Sequence, residues 1–368
     1  MSCILLSPLL NLFFLHRVEK ALSTIRTSIV PIPNRYPVET ILIQPNNGNI
    51  TTTIPPLITF PHGGPHGTTS TAFSAATIAL VLEGCESTEH QKKKKNIYLI
   101  DNGILLDTVS LPNYTGSLGF GDGFVQRLVV RGNCGRLDVE DCYASIRHLI
   151  ESGIAEEGPG KQFVTGGSHG GFLTAHRTSL STILSNFFFE WRICNITSFF
   201  PVIGQYPDFF SAAVMRNPVI SPAGVFATDI PDWFFSEFGF EYPLSSSTLP
   251  AKADSSLTSR LPPLLSSETY TKLLASLPIS HVDSIKIPVL LLIGAADRRV
   301  PPDSQGIKLY HALKGRYAST RSEGIDDNRK VEVLVFEGQG HSLDGVEAAK
   351  AGFEATRQWL ADAGVPKK

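Results

Sequence analysis

Ser168 stands between glycines in Gly166-Gly167-Ser168-His169-Gly170. A serine hydroxyl attacks carbonyl carbon only when a base takes its proton, and the base must be oriented by a third group. Gly-x-Ser-x-Gly is the spacing of a nucleophile elbow, a strained strand-to-helix turn whose flanking residues must be small. Asp297, in Gly294-Ala295-Ala296-Asp297, is the candidate orienting acid, and His341, in Gly338-Gln339-Gly340-His341-Ser342, is the candidate base. Each of the three follows a strand-like segment. The order Ser, Asp, His along the chain is that of α/β-hydrolases, and the set is more specific than any member of it. His169 follows the nucleophile directly, so its side chain should point away and its backbone N–H should serve as an oxyanion donor. The second donor is assigned to Gly64 in His62-Gly63-Gly64-Pro65, a loop after an early strand in which glycine permits close approach of backbone to substrate.

The elements that must position these groups are legible as an alternation. Strands are expected at 38–44, 56–60, 108–112, 162–165, 212–215, 288–293 and 331–336, and helices at 72–82, 138–152, 304–314 and 347–363. In the helix at 138–152, Val139, Cys142, Ile146 and Leu149 recur at three to four residues and Gly153 can end it. Apolar strands alternating with helices predict an α/β fold with a mostly parallel, doubly wound sheet covered on both faces. The sites of such sheets lie at the C-terminal edge of the strands. Residues 38–368 form the expected domain, and residues 1–37 receive no assignment. Ile4 to Leu15 is apolar and of signal-peptide length. No basic residue precedes it and no small-x-small site follows cleanly, so it reads as a locally packed segment or as sequence foreign to the fold.

Composition narrows the chemistry further. The chain has 368 residues, 42% hydrophobic and 18% charged, with net charge -2. No basic stripe points to nucleic acid, and no apolar run is long enough to span a bilayer as a helix. The run Lys92 to Lys95 reads as a solvated loop. Five scattered cysteines fit a reducing compartment rather than a disulfide framework, and no zinc-ligand spacing is present.

A specific likeness rests on His62-Gly-Gly-Pro-His66, Asn113-Tyr-Thr-Gly-Ser-Leu-Gly-Phe-Gly121, Gly166-Gly-Ser-His-Gly-Gly-Phe172, Gly204-Gln-Tyr-Pro207, Arg216-Asn-Pro-Val-Ile220, Thr228-Asp-Ile-Pro-Asp-Trp233, Asp297-Arg-Arg-Val-Pro301 and Gly340-His341. Through these, residues 56–363 resemble the catalytic domain of the acylaminoacyl-peptidase branch of the prolyl oligopeptidase family. The resemblance implies a cytosolic serine peptidase that removes N-acylated residues from short peptides without metal or cofactor, with Ser168, Asp297 and His341 as its triad. It also implies that Arg299 binds a substrate carbonyl, a task suited to a permanently charged group with several donors. Trp233, Phe234 and Phe235 are candidates for the wall of the acyl pocket, although aromatic clusters are more often plain core.

Three departures from the family pattern stand out. The family's N-terminal β-propeller has no room before residue 56, so the chain reads as a fragment or as poorly soluble alone, and a homo-oligomer or the missing propeller domain is the expected partner. Stretches near 86–107 and 177–202 interrupt a helix-to-strand connection and the helix after Ser168, where connections of about 2–6 residues are usual. Both read as translated introns. Ester hydrolysis of the carboxylesterase or lipase type by the same triad, and an inactive truncated product, are the rival functional readings.

Overall fold

The structure is a computed structural model that describes residues 19–46, 54–82, 107–130, 132–179, 209–222, 228–240, 267–322 and 329–364. Its strands are β1 (Ile25–Pro31), β2 (Glu39–Pro45), β3 (Leu57–Thr59), β4 (Thr108–Asn113), β5 (Gln162–Gly167), β6 (Ala212–Arg216), β7 (Val289–Gly294) and β8 (Val331–Phe336). They form one sheet in the order β1-β2-β4-β3-β5-β6-β7-β8. The pairs β1–β2 and β2–β4 are antiparallel, and every other pair is parallel. This is the α/β-hydrolase arrangement that the sequence predicts.

The helices are α1 (Ala75–Leu82), α2 (Asp122–Val129), α3 (Leu137–Glu151), α4 (His169–Ser179), α5 (Pro231–Glu237), α6 (Ser267–Ala275), α7 (Gly306–Ser322) and α8 (Val346–Gly364), with a 3-10 turn at Pro278–Ser284. Side chains along each central strand alternate between the two faces, as the two-residue period requires. Ala213, Met215, Leu291 and Ile293 pack with Ile146 and Leu149 of α3, Ala175 of α4 and Leu309 and Leu313 of α7. Their neighbours Ala212, Val214, Leu290 and Leu292 pack on the other face with Leu80 and Val81 of α1 and Trp359 and Leu360 of α8. A third cluster lies beyond the C-terminal edge of the strands, where Phe172 and Leu173 of α4 meet Tyr114, Val219, Phe234, Phe235, Leu277 and Val300.

Two regions differ from what the sequence suggests. Strand β1 falls inside the unassigned 1–37 stretch, yet pairs along its whole length with β2, from Ile25 opposite Pro45 to Pro31 opposite Glu39. It is mostly exposed, so it lacks the apolar signal by which buried strands are recognised. Helix α4 runs unbroken to Ser179, three residues past His176, where the family pattern places the interruption. Most of the stretches near 86–107 and 177–202 lies outside the described residues. The chain leaves for them after Leu82 and Ser179 and re-enters at Asp107 and Phe209, just ahead of β4 and β6 and therefore at the sheet edge opposite Ser168. No helix among the described residues is long and apolar enough to cross a membrane.

Candidate active site

Parallel register brings the site together. Gly167 lies opposite Arg216, Arg216 opposite Leu292, and Gly294 opposite Phe336, so the turns after β5, β6, β7 and β8 open side by side. Ser168 occupies the first of these turns with φ of 57°, a left-handed conformation that costs a side-chain-bearing residue about 1–3 kcal/mol. The surroundings hold it there. Ser168 N–H donates to the carbonyl of Arg216 at 2.9 Å, and its own carbonyl accepts from the N–H groups of Phe172 at 3.0 Å and Val219 at 3.3 Å. The flanking glycines are required by contact: a Cβ on Gly166 would strike the carbonyl of Gly170, and one on Gly170 would strike that of Pro61.

His341 Nδ1 hydrogen-bonds Asp297 Oδ2 at 2.7 Å. The other carboxylate oxygen accepts from the N–H groups of Arg299 at 2.8 Å and Val300 at 2.9 Å, which fixes the acid in place. Because the buried carboxylate takes the proton side of Nδ1, the imidazole keeps Nε2 free as the basic nitrogen. Ser168 and His341 line the same cleft, of about 540 Å³, together with Gly63, Gly64, Arg299 and Trp233. The predicted site residues are therefore brought into one place.

The oxyanion candidates sit at the rim of that turn. His169 is the first residue of α4, so its N–H has no acceptor within its own helix. Its imidazole is buried and turned away as expected, with Nε2 bonded to Asp138 Oδ2 at 2.8 Å. A Cβ on Gly63 would lie 3.5 Å from Ser168 Cβ, and Gly64 has φ of 126°, which few other residues adopt. The loop carrying both is clamped from below. Tyr114 stacks on His62 with ring centroids 4.3 Å apart and donates its hydroxyl to the His62 carbonyl at 2.8 Å. His66 Nδ1 donates to the carbonyl of Gly116 at 2.8 Å, and its Nε2 lies 3.1 Å from Glu237. Burial lowers the His62 pKa to about 4, whereas Glu237 raises that of His66.

Arg299 reaches the cleft from the Asp297 turn and is half-exposed, with Nε and Nη2 each 3.3 Å from the carboxylate of Asp229. Trp233 and Phe234 line the cleft with Val219, Ile230 and Val300. Phe235 does not: it is buried among Phe172, Phe234 and Phe238 as core, because the next position on α5 faces away from the opening.

Sequence reasoning missed three contributors. Asn217, with φ of 40°, donates Nδ2–H to the carbonyl of His341 at 2.9 Å and accepts from Gly294 N–H at 2.8 Å, tying the histidine loop to the end of β7. Gln305 accepts from the N–H groups of Ile220 and Ser221 at 2.8 Å each and so holds the wall that bears Val219. Arg216 lines the cleft beside Gly167. Asn217 and Arg216 belong to a motif that signals family and gives no role. Their lateral neighbours come from other strands and have no sequence signature.

One group of metal-ligand type converges among the described residues: the buried ligand atoms of Cys134, Asp138 and His169 lie within 4.8 Å of one another. Asp138 is already fully engaged there, since Oδ1 accepts from Gly135 and Val139 N–H while Oδ2 meets His169. An ion would have to displace that bond, so Asp138 and His169 form a clamp behind the elbow.

Fold and site together define the class, a serine hydrolase of the α/β-hydrolase fold. Residues 93–179 and 252–364, more than half of the chain, match the model of the prolyl oligopeptidase family. The chain belongs to that family. It is 33% identical over 325 residues to the acylamino-acid-releasing enzyme of Rattus norvegicus, covering 88% of this chain and 33% of that one. To the enzyme of the same name from Arabidopsis thaliana it is 31% identical over 356 residues, covering 94% and 36%. It thus spans about a third of the length of these relatives. Among solved structures, an acylaminoacyl peptidase of Pyrococcus horikoshii superposes with a TM-score of 0.63 at 18% identity, covering 94% of this chain and 43% of that one. A puromycin hydrolase does so with a TM-score of 0.62 at 21% identity, covering 93% and 40%. At these identities the structures speak for the fold alone.

Proposed function

We propose that this chain carries the catalytic unit of a peptidase that releases an N-acylated amino acid from the end of a short peptide. The observation that supports the reading most is the bond between His341 Nδ1 and Asp297, with Ser168 on an elbow in the same cleft. Ser168 Oγ attacks the carbonyl of the acylated residue while His341 Nε2 takes the hydroxyl proton. The resulting oxyanion accepts from the N–H groups of His169 and Gly64, donors fixed before the charge develops. His341 then passes its proton to the departing amine, leaving an ester on Ser168. A water molecule enters, gives a proton to His341 and hydrolyses the ester, and the proton returns to Ser168. Asp297 holds the imidazole in the tautomer these transfers need and stabilises its charged form.

The substrate assignment draws on the names of the relatives and on the shape of the cleft. Val219, Ile230, Trp233, Phe234 and Val300 offer an apolar wall for the side chain of the acylated residue, and Arg299 offers donors for a neighbouring carbonyl. N-acetyl-alanyl 4-nitroanilide assayed beside a 4-nitrophenyl ester tests this. Cleavage of both fits a peptidase. Cleavage of the ester alone would replace the reading by an esterase.

A further inference from the structure

Two arginines enter the cleft, and they are not equivalent. Arg299 faces Asp229, whereas Arg216 has no carboxylate or other hydrogen-bond partner among the described residues. No aspartate or glutamate lines the cleft among the described residues. The guanidinium of Arg216 lies 5.5 Å from the centroid of the Phe60 ring, which supports a cation from its π face. Arg216 is open to solvent through the cleft, yet surrounding protein atoms lower its pKa by desolvation, with no counter-charge acting against this. Such a cation is set up to take an anion from the substrate.

The two-residue period of the strands says on which side of Ser168 it lies. A Cβ on Gly166 would point at Gly170 and Thr174 of α4, whereas one on Gly167 would lie 3.6 Å from Arg216 Cβ and 3.7 Å from its Nε. Arg216 therefore crosses the elbow on the face away from α4. The His341 loop is on that same face: a Cβ on Gly294 would meet the carbonyls of Gln339 and Gly340, and Leu343 packs with Trp359 of α8. The apolar wall belongs to the other side, since Val219, Phe234 and Val300 share a cluster with Phe172 and Leu173 of α4. The acyl part of a substrate then lies towards α4. The leaving amine lies towards His341, which must protonate it, and beyond it is Arg216.

We propose that Arg216 is the receptor for a carboxylate on the leaving group, so that the site prefers peptides whose free C-terminus lies just beyond the scissile bond. The proposal rests on the hydrolase reading above and goes beyond it to the leaving-group side. A planar guanidinium pairs with a carboxylate through two parallel N–H donors, which gives direction as well as attraction.

The test compares kcat/KM for N-acetyl-Ala-Ala with that for its C-terminal amide, and for a phenyl acetate with and without a carboxylate on the leaving ring. Active sites are counted with a fluorophosphonate. In the unaltered protein the carboxylate-bearing member of each pair should be favoured about tenfold or more, the range of a charge-assisted hydrogen bond. Arg216→Gln should bring the ratio close to one, Arg216→Lys should retain part of it, and Arg299→Gln should leave the ratio in place. Equal rates within both pairs in the unaltered protein would overturn the proposal, as would an Arg216→Gln variant that loses the same factor on charged and neutral members. Preference in the ester pair with no cleavage of either peptide would uphold Arg216 and overturn the peptidase reading instead.

Discussion

The two ends of the parallel strands are built on different principles. At the C-terminal end the chain accepts strain and polar burial: Ser168 at φ of 57°, Asn217 at φ of 40°, and the Asp297 carboxylate buried and bonded to two N–H groups and an imidazole. At the other end the strands begin on apolar packing. Phe209 and Phe210 pack edge to face at 4.9 Å, Tyr143 meets Phe209 at 5.8 Å, and Tyr317 donates to the carbonyl of Ile287 at 2.9 Å. Two of the three longer internal stretches outside the described residues, 83–106 and 180–208, attach at this second end. One edge thus positions reacting groups and the other supplies cohesion, so chemistry and stability should be separable by mutation.

The largest separation is expected at the elbow. Ser168→Ala or His341→Ala should lower kcat/KM by about four orders of magnitude or more, leaving only what binding and oxyanion donors supply. Thermal unfolding of the same variants should shift little. Asp297→Asn should lower kcat by roughly 10⁴ while keeping the geometry, because the wrong tautomer of His341 would be held. Phe210→Ala should do the reverse. It should cost about 3–5 kcal/mol in urea unfolding and leave turnover per titrated active site unchanged.

Asn217 sharpens the comparison because its side chain serves the catalytic edge alone. Asn217→Ala leaves the buried Gly294 N–H without its acceptor and the His341 carbonyl without a donor, at about 1–3 kcal/mol for each unsatisfied group. The loss should fall mainly on kcat, since what moves is the base. Asn217→Asp keeps the acceptor for Gly294 and loses the donor to His341, so its kcat should lie between the two.

Stability should also depend on pH, apart from any change in turnover. His62 and His176 have pKa values lowered by burial from 6.5 to about 4 and about 3, so the unfolded chain binds more protons than the folded one in that range. Their contribution should be present above pH 6.5 and lost as pH falls towards those values. His66 has the opposite sign. Its pKa is raised by Glu237, so its contribution is full below 6.5 and fades as pH rises through the raised value. Urea titrations across pH should show both slopes, and His66→Gln should flatten only the alkaline one.

Much of this was legible in the residues. The apolar run Val289–Gly294 and the period of Val139, Cys142, Ile146 and Leu149 locate a strand and a helix because burial is local to each element. Glycine at 166 and 170 reports contacts that forbid a Cβ, so the elbow is visible from spacing alone. Strand β1 was not legible, since an exposed edge strand needs no apolar pattern. Nor were the roles of Arg216 and Asn217, which come from lateral register with β5, β7 and the His341 loop. Phe235 shows the same limit from the other side: it and Phe234 are buried in one cluster, and only the facing of a short helix brings Phe234 to the cleft wall as well.

The most direct measurement is labelling with a fluorophosphonate, followed by identification of the modified residue. The geometry of the elbow predicts a single adduct on Ser168 in the folded protein, none in Ser168→Ala, and much slower labelling in His341→Ala. Absence of labelling in folded protein, or labelling undiminished in Ser168→Ala, would contradict Ser168 as the nucleophile.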